Sequence, residues 1–406
     1  MFPFIVTTLR KSKFFFLCSE HIPGKKSPKL PDVKPYASIH FSKEDQTFYS
    51  TLNKRANEYF RNRKTSRHAN REMVFKTVFM FALYLVPFAL VLFSVVTNPW
   101  LAWGLCVAMG VGIAGIGLSI MHDANHGAYS EKKWINDLLG YSLNLVGGNA
   151  FNWRVQHNVL HHTYTNIYDV DEDISPRGIL RMTPHSDWKP FHKFQFLYAW
   201  FIYGFMTIAW VFAKDFNRLT RYDKDGLVKK QRTTVGKEWA ILILTKVAYV
   251  SYTLILPMVI LSFAWWQVLL GFFTMHYIAG FILAIIFQPA HVVEGTEFPM
   301  PDSSGNVENN WAVHQVATTT NFANKSRLFS WYVGGLNYQI EHHLFPMICH
   351  IHYRKLSPIV QATASEFNIP YKSLPTFMQA LRGHGRLLKE LGKRPVEVPV
   401  AVPAQG

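Results

Sequence analysis

Two long stretches of the chain carry no Asp, Glu, Lys or Arg, and they limit the possible fold more than any other feature. They cover residues 77–121 and 247–290. A helix needs about 20 apolar residues to cross a bilayer, so each stretch is long enough for two crossings. Asn98-Pro99 interrupts the first stretch, because proline has no N–H for a helix interior, and residues 262–266 interrupt the second. The pattern predicts four membrane-spanning helices arranged as two hairpins.

A third run, residues 194–213, is also uncharged and is long enough to span a membrane. The histidines that follow the two hairpins argue against a fifth crossing. If they share one metal site, they must lie on one face of the membrane, and a crossing between the hairpins would separate them. On that assumption, we predict that residues 194–213 form an interfacial or re-entrant helix.

The charged residues are few and unevenly distributed. They make up 17% of the 406 residues, although the net charge is +16. The short turns of the predicted hairpins lack Lys and Arg, whereas the flanking segments are rich in them. By the positive-inside rule, both termini and the histidines face the cytoplasm, in a bacterial inner membrane or the endoplasmic reticulum. We expect a basic N-terminal region (1–72), a membrane domain (73–372) and a cytoplasmic tail (373–406).

Histidine is the unusual residue of this chain, with 18 copies. On a helix, residues at i and i+4 lie on one face and can converge on one metal, as His122 with His126 or His157 with His161. Adjacent residues point about 100° apart, so neighbouring histidines can serve two metals side by side. Four clusters stand at or beyond the same ends of the hairpins: His122-x-x-x-His126, His157-x-x-x-His161-His162, His291, and Gln339-x-x-His342-His343.

The number and type of these side chains narrow the choice of metal. Imidazole suits iron, zinc, copper and nickel, but eight histidines exceed the four ligands of a tetrahedral zinc site. A redox metal against a membrane suggests oxygen chemistry on a lipid, which favours iron. Hydrogen-bond partners should orient the rings. The candidate partners are Asp123, Asn125, Asn158, Asp169, Asp171 and Asp173.

In these motifs the chain resembles the membrane fatty acid desaturase family. The resemblance covers residues 34–372 and rests on three motifs, with predicted spans between them. The phrases QHNVLHHTYTN (156–166) and GGLNYQIEHHLFP (334–346) look very like the front-end or linoleoyl-CoA desaturase branch, whose third motif begins with glutamine, as Gln339 does here. The three motifs are His122-Asp-x-x-His126, His157-x-x-x-His161-His162 and Gln339-x-x-His342-His343.

The resemblance implies an all-α integral membrane fold, with four transmembrane helices in two hairpins and a cytoplasmic helical cap that holds a histidine-rich di-iron site. The implied reaction removes two hydrogens from a fatty acyl chain, as an acyl-CoA or acyl lipid, with O₂ and two electrons, and leaves a cis double bond. Gln339, Asp123, Asn125 and Asp169 are further candidates for binding the metals or orienting their ligands. The implied iron ligands are His122, His126, His157, His161, His162, His291, His342 and His343.

The electron donor is expected to be a separate protein. Many front-end enzymes carry a fused haem-binding cytochrome domain with a His-Pro-Gly-Gly motif, and the nearest string here, His21-Ile-Pro-Gly24, is not that motif. We therefore expect no haem bound by this chain. A ferredoxin, or a small cytochrome with its reductase, would be an acidic partner for a basic face. Membrane lipids are expected partners as well, and no motif points to nucleic acid.

Two alternative functions stay open. An acyl or lipid hydroxylase on the same di-iron scaffold would insert oxygen instead of removing hydrogen. A histidine-rich metal transporter should place ionisable groups inside its spans, and only His276 lies in the uncharged stretches.

For the acyl substrate we expect an apolar tunnel for the tail and a head group near Arg154. The candidate substrate-lining residues are Trp153, Arg154, Gln156 and Tyr164.

Overall fold

Four long apolar helices dominate the computed structural model of the protein. Each is long and apolar enough to cross a membrane, so the prediction of four helices able to span is confirmed. A bent helix pair raises the number to five if it counts as one span. The four helices are Arg71–Leu92, Pro99–Asn125, Val235–Ile260 and Trp265–His291.

The structure describes residues 39–44, 46–174 and 178–395. Residues 1–38 of the predicted N-terminal region and residues 396–406 of the predicted tail lie outside the described residues, and the boundaries of the three regions stay predictions. A 3₁₀ turn, His350–His352, stands directly before the helix Tyr353–Glu366. In chain order the helices are α1 (Thr47–Arg63), α2 (Arg71–Leu92), α3 (Pro99–Asn125), α4 (Lys133–Gly140), α5 (Ser142–Leu145), α6 (Ala150–Trp153, continued by the π-helical turns Arg154–His161), α7 (Pro190–Tyr203), α8 (Met206–Lys224), α9 (Leu227–Lys230), α10 (Val235–Ile260), α11 (Trp265–His291), α12 (Trp311–Ala317), α13 (Arg327–Tyr332), α14 (Gln339–Leu344), α15 (Tyr353–Glu366) and α16 (Phe377–Leu391).

The two predicted breaks between apolar helices are confirmed. Asn98 caps α3, because its side-chain oxygen accepts the N–H groups of Trp100 and Leu101, and Pro99 occupies the first helical position, where no N–H is needed. In the second stretch α10 ends at Ile260 and α11 begins at Trp265. The local chemistry of the turns therefore sets where these helices end.

Two of the apolar helices begin well before the uncharged stretches do. α2 starts at Arg71 and includes Lys76, and α10 starts at Val235 and includes Lys246. Lys246 is buried, its Nζ lies 2.6 Å from Asp215 Oδ2, and it donates to the carbonyl oxygens of Gly147 and Trp210. A lysine that is paired with a carboxylate is therefore compatible with an apolar helix. For this reason α10 is longer than the uncharged stretch in its sequence.

Small residues allow the apolar helices to pack closely. α3 packs against both α2 and α11. A Cβ atom on Gly110 would lie 2.5 Å from the carbonyl oxygen of Met275, and one on Gly112 would lie 2.9 Å from the backbone nitrogen of Tyr84. The backbones therefore approach at these glycines more closely than larger side chains allow, as is common between membrane helices.

The uncharged run 194–213 lies in the bent pair formed by α7 and α8. The two helices meet at an angle of 71° around Gly204 and Phe205, so the run is not one straight helix. The expectation that it is interfacial or re-entrant stays a prediction.

The remaining helices surround the ends of α3 and α11 that carry histidines. α1 packs on α15, and α14 packs between α12 and α15. Among the described residues, strands are confined to two short parallel pairs, His40–Phe41 with Asn306–Val307 and Asn321–Phe322 with Ser373–Leu374. Asn321 accepts the backbone N–H of Ile340 at 2.9 Å and so ties the second pair to α14. The described fold is mostly helical, as expected.

Candidate metal centre

Four separate parts of the chain bring the eight predicted histidines into one buried cluster. His122 lies in the last turn of α3, with His126 just beyond it, and His291 is the last residue of α11. α6 and α14 carry four of the others, and His162 directly follows α6. Each of the eight side chains is buried. They are His122, His126, His157, His161, His162, His291, His342 and His343.

The first group consists of His122, His126, His157 and His342, whose ligand atoms all lie within 4.8 Å of one another. The Nε2 atoms of His122 and His157 are 3.2 Å apart. Lone pairs of neutral imidazoles repel at this distance unless a proton or a cation lies between them. The convergence of four such rings therefore suits a metal ion.

The second group consists of His161, His291 and His343, which also satisfy the 4.8 Å criterion. In each ring Nδ1 faces an acceptor: Asp171 Oδ2 at 3.0 Å for His161, the Thr318 carbonyl at 3.3 Å for His291, and Gln315 Oε1 at 2.7 Å for His343. The three Nε2 atoms are buried and have no hydrogen-bond partner among the described residues. A hydrogen bond at Nδ1 leaves Nε2 as the free lone pair, as in metal sites.

His162 lies between the two groups. Its Nε2 is 3.2 Å from Nε2 of His157 and 3.0 Å from Nε2 of His342, and it forms a third candidate group with His342 and His343. The i, i+4 expectation that His157 pairs with His161 is therefore incomplete. The helix here is π-helical, with the N–H of His162 bonded to the carbonyl of His157, and this wider turn brings residues at i and i+5 together.

Gln339 lies close enough to join the second group. It is fully buried on the first turn of α14, and its amide lies beside His291. Neither amide atom has a well-aligned hydrogen bond within the described part of the chain. An unsatisfied buried amide is costly, so its position suits a ligand or a bound water at this point.

The expected hydrogen-bond partners divide into those at the cluster and those away from it. Asp171 bonds His161, and Asp173 Oδ2 is 3.6 Å from the same ring. Asp169, expected to be a ligand or a partner, is exposed, and its backbone is left-handed with φ 67°. The turn that buries Asp171 directs Asp169 outward, so the structure does not bring Asp169 to the histidines.

Asp123 has a different partner from the one expected. Its Oδ1 is 3.9 Å from His122 Nδ1, whereas its Oδ2 is 2.8 Å from His350 Nδ1 and also accepts the His350 N–H. Lys76 Nζ lies 2.7 Å from the other ring nitrogen of His350. The buried chain Lys76–His350–Asp123 thus ends beside a candidate ligand, and neither Lys76 nor His350 belongs to a motif that would have predicted it.

Asn125 and Asn158 connect the backbone around the cluster. Asn125 donates to the Gly140 carbonyl and accepts from Arg154, and Asn158 donates to the Asn125 carbonyl. These hydrogen bonds hold the segments that carry the histidines.

Burial lowers the pKa of most histidines in the cluster, but at His161 the neighbouring Asp171 outweighs burial and raises the pKa. The pKa of His126, His157, His162, His342 and His343 is lowered well below the usual 6.5, first by burial and then by neighbouring histidines. For Asp171, burial raises the pKa, but His161 and two backbone N–H groups outweigh this effect and lower it. Neutral imidazoles and an ionised aspartate are the forms that metal binding requires.

The four candidate substrate residues differ in their distance from the cluster. Trp153 stacks on His157 with ring centroids 4.4 Å apart, and Gln156 donates to Asp173. Arg154 donates to Asn125 and borders a cavity beside His126. Tyr164 instead stacks on Phe41 with ring centroids 6.2 Å apart, in a small apolar cluster.

Fold and site together define a class: a helical protein with helices able to span a membrane and a buried polyhistidine cluster that could hold metal. The sequence comparisons identify the family. Residues 98–375 match the family model described as fatty acid desaturase, and several curated proteins are similar over most of their length.

The sn-1 linoleoyl-lipid 6-desaturase of Synechocystis sp. is 36% identical over 354 residues, which are 85% of this chain and 96% of that protein. The desaturase of the same name from Arthrospira platensis is 34% identical over 88% of this chain and 94% of its own. The acyl-lipid (8-3)-desaturase of Physcomitrium patens is 36% identical over 93% of this chain and 78% of its own. This chain therefore belongs to the fatty acid desaturase family, and it is an oxidoreductase that desaturates fatty acyl chains.

Proposed function

We propose that this chain is a front-end acyl-lipid desaturase, which forms a cis double bond between an existing double bond and the carboxyl end of the acyl chain. The observation that carries the proposal is the cluster of eight buried histidines, six of which have a ring nitrogen without a hydrogen-bond partner among the described residues. The names of the relatives, 6-desaturase, (8-3)-desaturase and Delta(5) desaturase, support a position near the carboxyl end.

Each of the two histidine groups would hold one iron ion, with His162 close to both groups and Gln339 as a further donor beside the second. Imidazole nitrogens suit iron, and neither group contains a thiolate. When bound, iron would supply the activation of O₂ for the removal of two hydrogens. The eight proposed ligands are the histidines of the buried cluster described above.

Residues of this chain orient the imidazole rings of the cluster and shield the site from water. Asp171, Gln315 and the Thr318 carbonyl fix three imidazoles in the tautomer that exposes Nε2. Trp153 covers the face of His157, and burial excludes water from the reacting groups. The substrate is an acyl lipid, and Trp153, Gln156 and Arg154 border its path. The two electrons come from a separate donor, a ferredoxin or a small cytochrome with its reductase.

The proposed topology has two hairpins, α2–α3 and α10–α11, with the histidines and both termini in the cytoplasm. The basic segments at the histidine ends of the helices and the uncharged opposite turns support this orientation. In this arrangement residues 73–372 form the membrane desaturase domain, between the basic region 1–72 and the tail 373–406.

Expression in a host of defined fatty acid composition tests the function. We expect a new fatty acid lighter by two hydrogens, with its double bond near the carboxyl end by fragmentation analysis. His343→Ala should abolish the product, whereas His314→Ala, which removes a buried histidine outside the metal groups, should retain it. A product heavier by one oxygen would instead support a hydroxylase.

A further inference from the structure

Lys76 is a buried lysine near the start of α2, and the proposed function does not use it. A lysine near the end of a membrane helix usually extends its ammonium group to the interface, but Lys76 is buried and directed inward. Its Nζ lies 2.7 Å from Nε2 of His350 and 5.2 Å from the centre of the Trp331 ring. A buried charge is costly unless it is paired, so Lys76 needs a partner inside the protein.

The ammonium group of Lys76 reaches a carboxylate through an imidazole. Nδ1 of His350 lies 2.8 Å from Oδ2 of Asp123, which also accepts the backbone N–H of His350. An ammonium group has donors only, so Nε2 of His350 accepts from Lys76 and Nδ1–H donates to Asp123. The buried Lys246 of α10 differs, because it contacts the carboxylate of Asp215 directly. The ring of His350 thus fixes the direction of the Asp123 carboxylate.

The second oxygen of this carboxylate faces a candidate metal ligand. Oδ1 of Asp123 lies 3.9 Å from Nδ1 of His122, and that nitrogen has no hydrogen-bond partner among the described residues. Nε2 of the same ring is 3.2 Å from Nε2 of His157, within the first group. A negative charge on the Nδ1 side favours the tautomer that carries its proton there, which leaves the lone pair of Nε2 for a metal.

The same contacts join three elements around the first group. Asp123 belongs to α3, which carries His122, and His350 follows α14, which carries His342. Lys76 adds α2. The acceptors that face Nδ1 of the second group come from other residues. The contacts of Lys76 and His350 therefore concern one group of histidines and not the other.

We propose that Lys76 and His350 are positioning residues of the first group, which hold the Asp123 carboxylate beside His122 so that Nε2 of His122 faces the metal. The inference rests on the proposed metal centre. Lys76 fixes the tautomer of His350, His350 fixes Asp123, and Asp123 orients His122. Loss of any of these contacts weakens the binding of one metal and leaves the other in place.

Retention of iron by the purified full-length protein, during dialysis against a series of chelator concentrations, tests the proposal without substrate or electron donor. Lys76→Met removes the charge, and His350→Phe removes both ring nitrogens. His350→Gln keeps one donor and one acceptor and is the conservative variant. Lys246→Met is the matched control, because it also removes a buried lysine of an apolar helix, but one that is paired with Asp215.

We expect Lys76→Met and His350→Phe to release one iron at a roughly tenfold lower chelator concentration, as is usual when the partner of a ligand is lost, and to hold the other as the wild type does. His350→Gln and Lys246→Met should retain both. Added to His122→Ala, Lys76→Met should have no further effect on the remaining iron, because it acts through His122.

Early release of both irons by Lys76→Met, an equal effect of Lys246→Met, or a further loss in the His122→Ala background would overturn the proposal. If Lys76→Met does not fold, His350→Phe and His350→Gln decide, and equal retention in these two variants overturns it. Failure of the desaturase function would appear separately, as absence of the new double bond in the expression host.

Discussion

Single residues around the cluster decide how the histidines are presented. The candidate ligands could be proposed from their spacing, because i, i+4 pairs and adjacent pairs are local properties of a helix. Their partners could not. Asp169 and Asp171 look alike in sequence, and only the left-handed turn at Asp169 decides which one reaches His161. Gln315 lies 28 residues from His343 and belongs to no motif, so nothing local marked it.

Asp171→Asn should lower the iron affinity of the protein roughly tenfold, because loss of the charge weakens the hydrogen bond that orients His161. The measurement is the iron retained per chain during dialysis against a series of chelator concentrations. Asp169→Asn is the matched control and should keep its iron as the wild type does. Equal retention in the two variants would refute the role of Asp171.

At the scale of elements, charge distribution predicted the two turns and the four apolar helices but not where α2 and α10 begin. Lys246 ends the uncharged stretch in sequence, yet in the fold it is neutralised by Asp215, 31 residues away. Such a pairing depends on tertiary structure. The π-helical winding of α6 was likewise unpredictable, and it decides that His162, at i+5, stands beside His157.

Lys246→Met should lower the free energy of unfolding by roughly 3–5 kcal/mol, because it leaves the carboxylate of Asp215 buried without its partner. The loss is read as a lower thermal unfolding midpoint of the protein in detergent. Adding Asp215→Leu should recover part of it, since no unpaired charge then remains. Lys229→Met, at an exposed site, is the control, and an equal loss there would contradict the argument.

For the whole molecule, the buried histidines make stability depend on pH. Burial lowers the pKa of His314, His350 and His384 to about 4. In the unfolded chain these groups titrate near pH 6.5, so their contribution to the stability of the folded state is complete above that pH. It is lost as the pH falls from 6.5 towards 4, because only the unfolded chain takes up the protons.

The unfolding midpoint of the purified protein should therefore be constant above pH 7 and fall steadily between pH 6.5 and 5. Differential scanning fluorimetry in detergent at fixed ionic strength gives this profile. A midpoint that rises on acidification would mean that these rings are protonated in the folded state. Replacing His314 with Gln should make the acid limb shallower.

The central claim is that eight histidines from four parts of the chain hold two metals for acyl desaturation. The most direct test is the metal content per chain of the purified protein, by inductively coupled plasma mass spectrometry. We predict two iron atoms in the wild type and a loss of iron in His161→Ala and His122→Ala. A fully active protein with no iron, or with iron unaffected by both substitutions, would contradict the account.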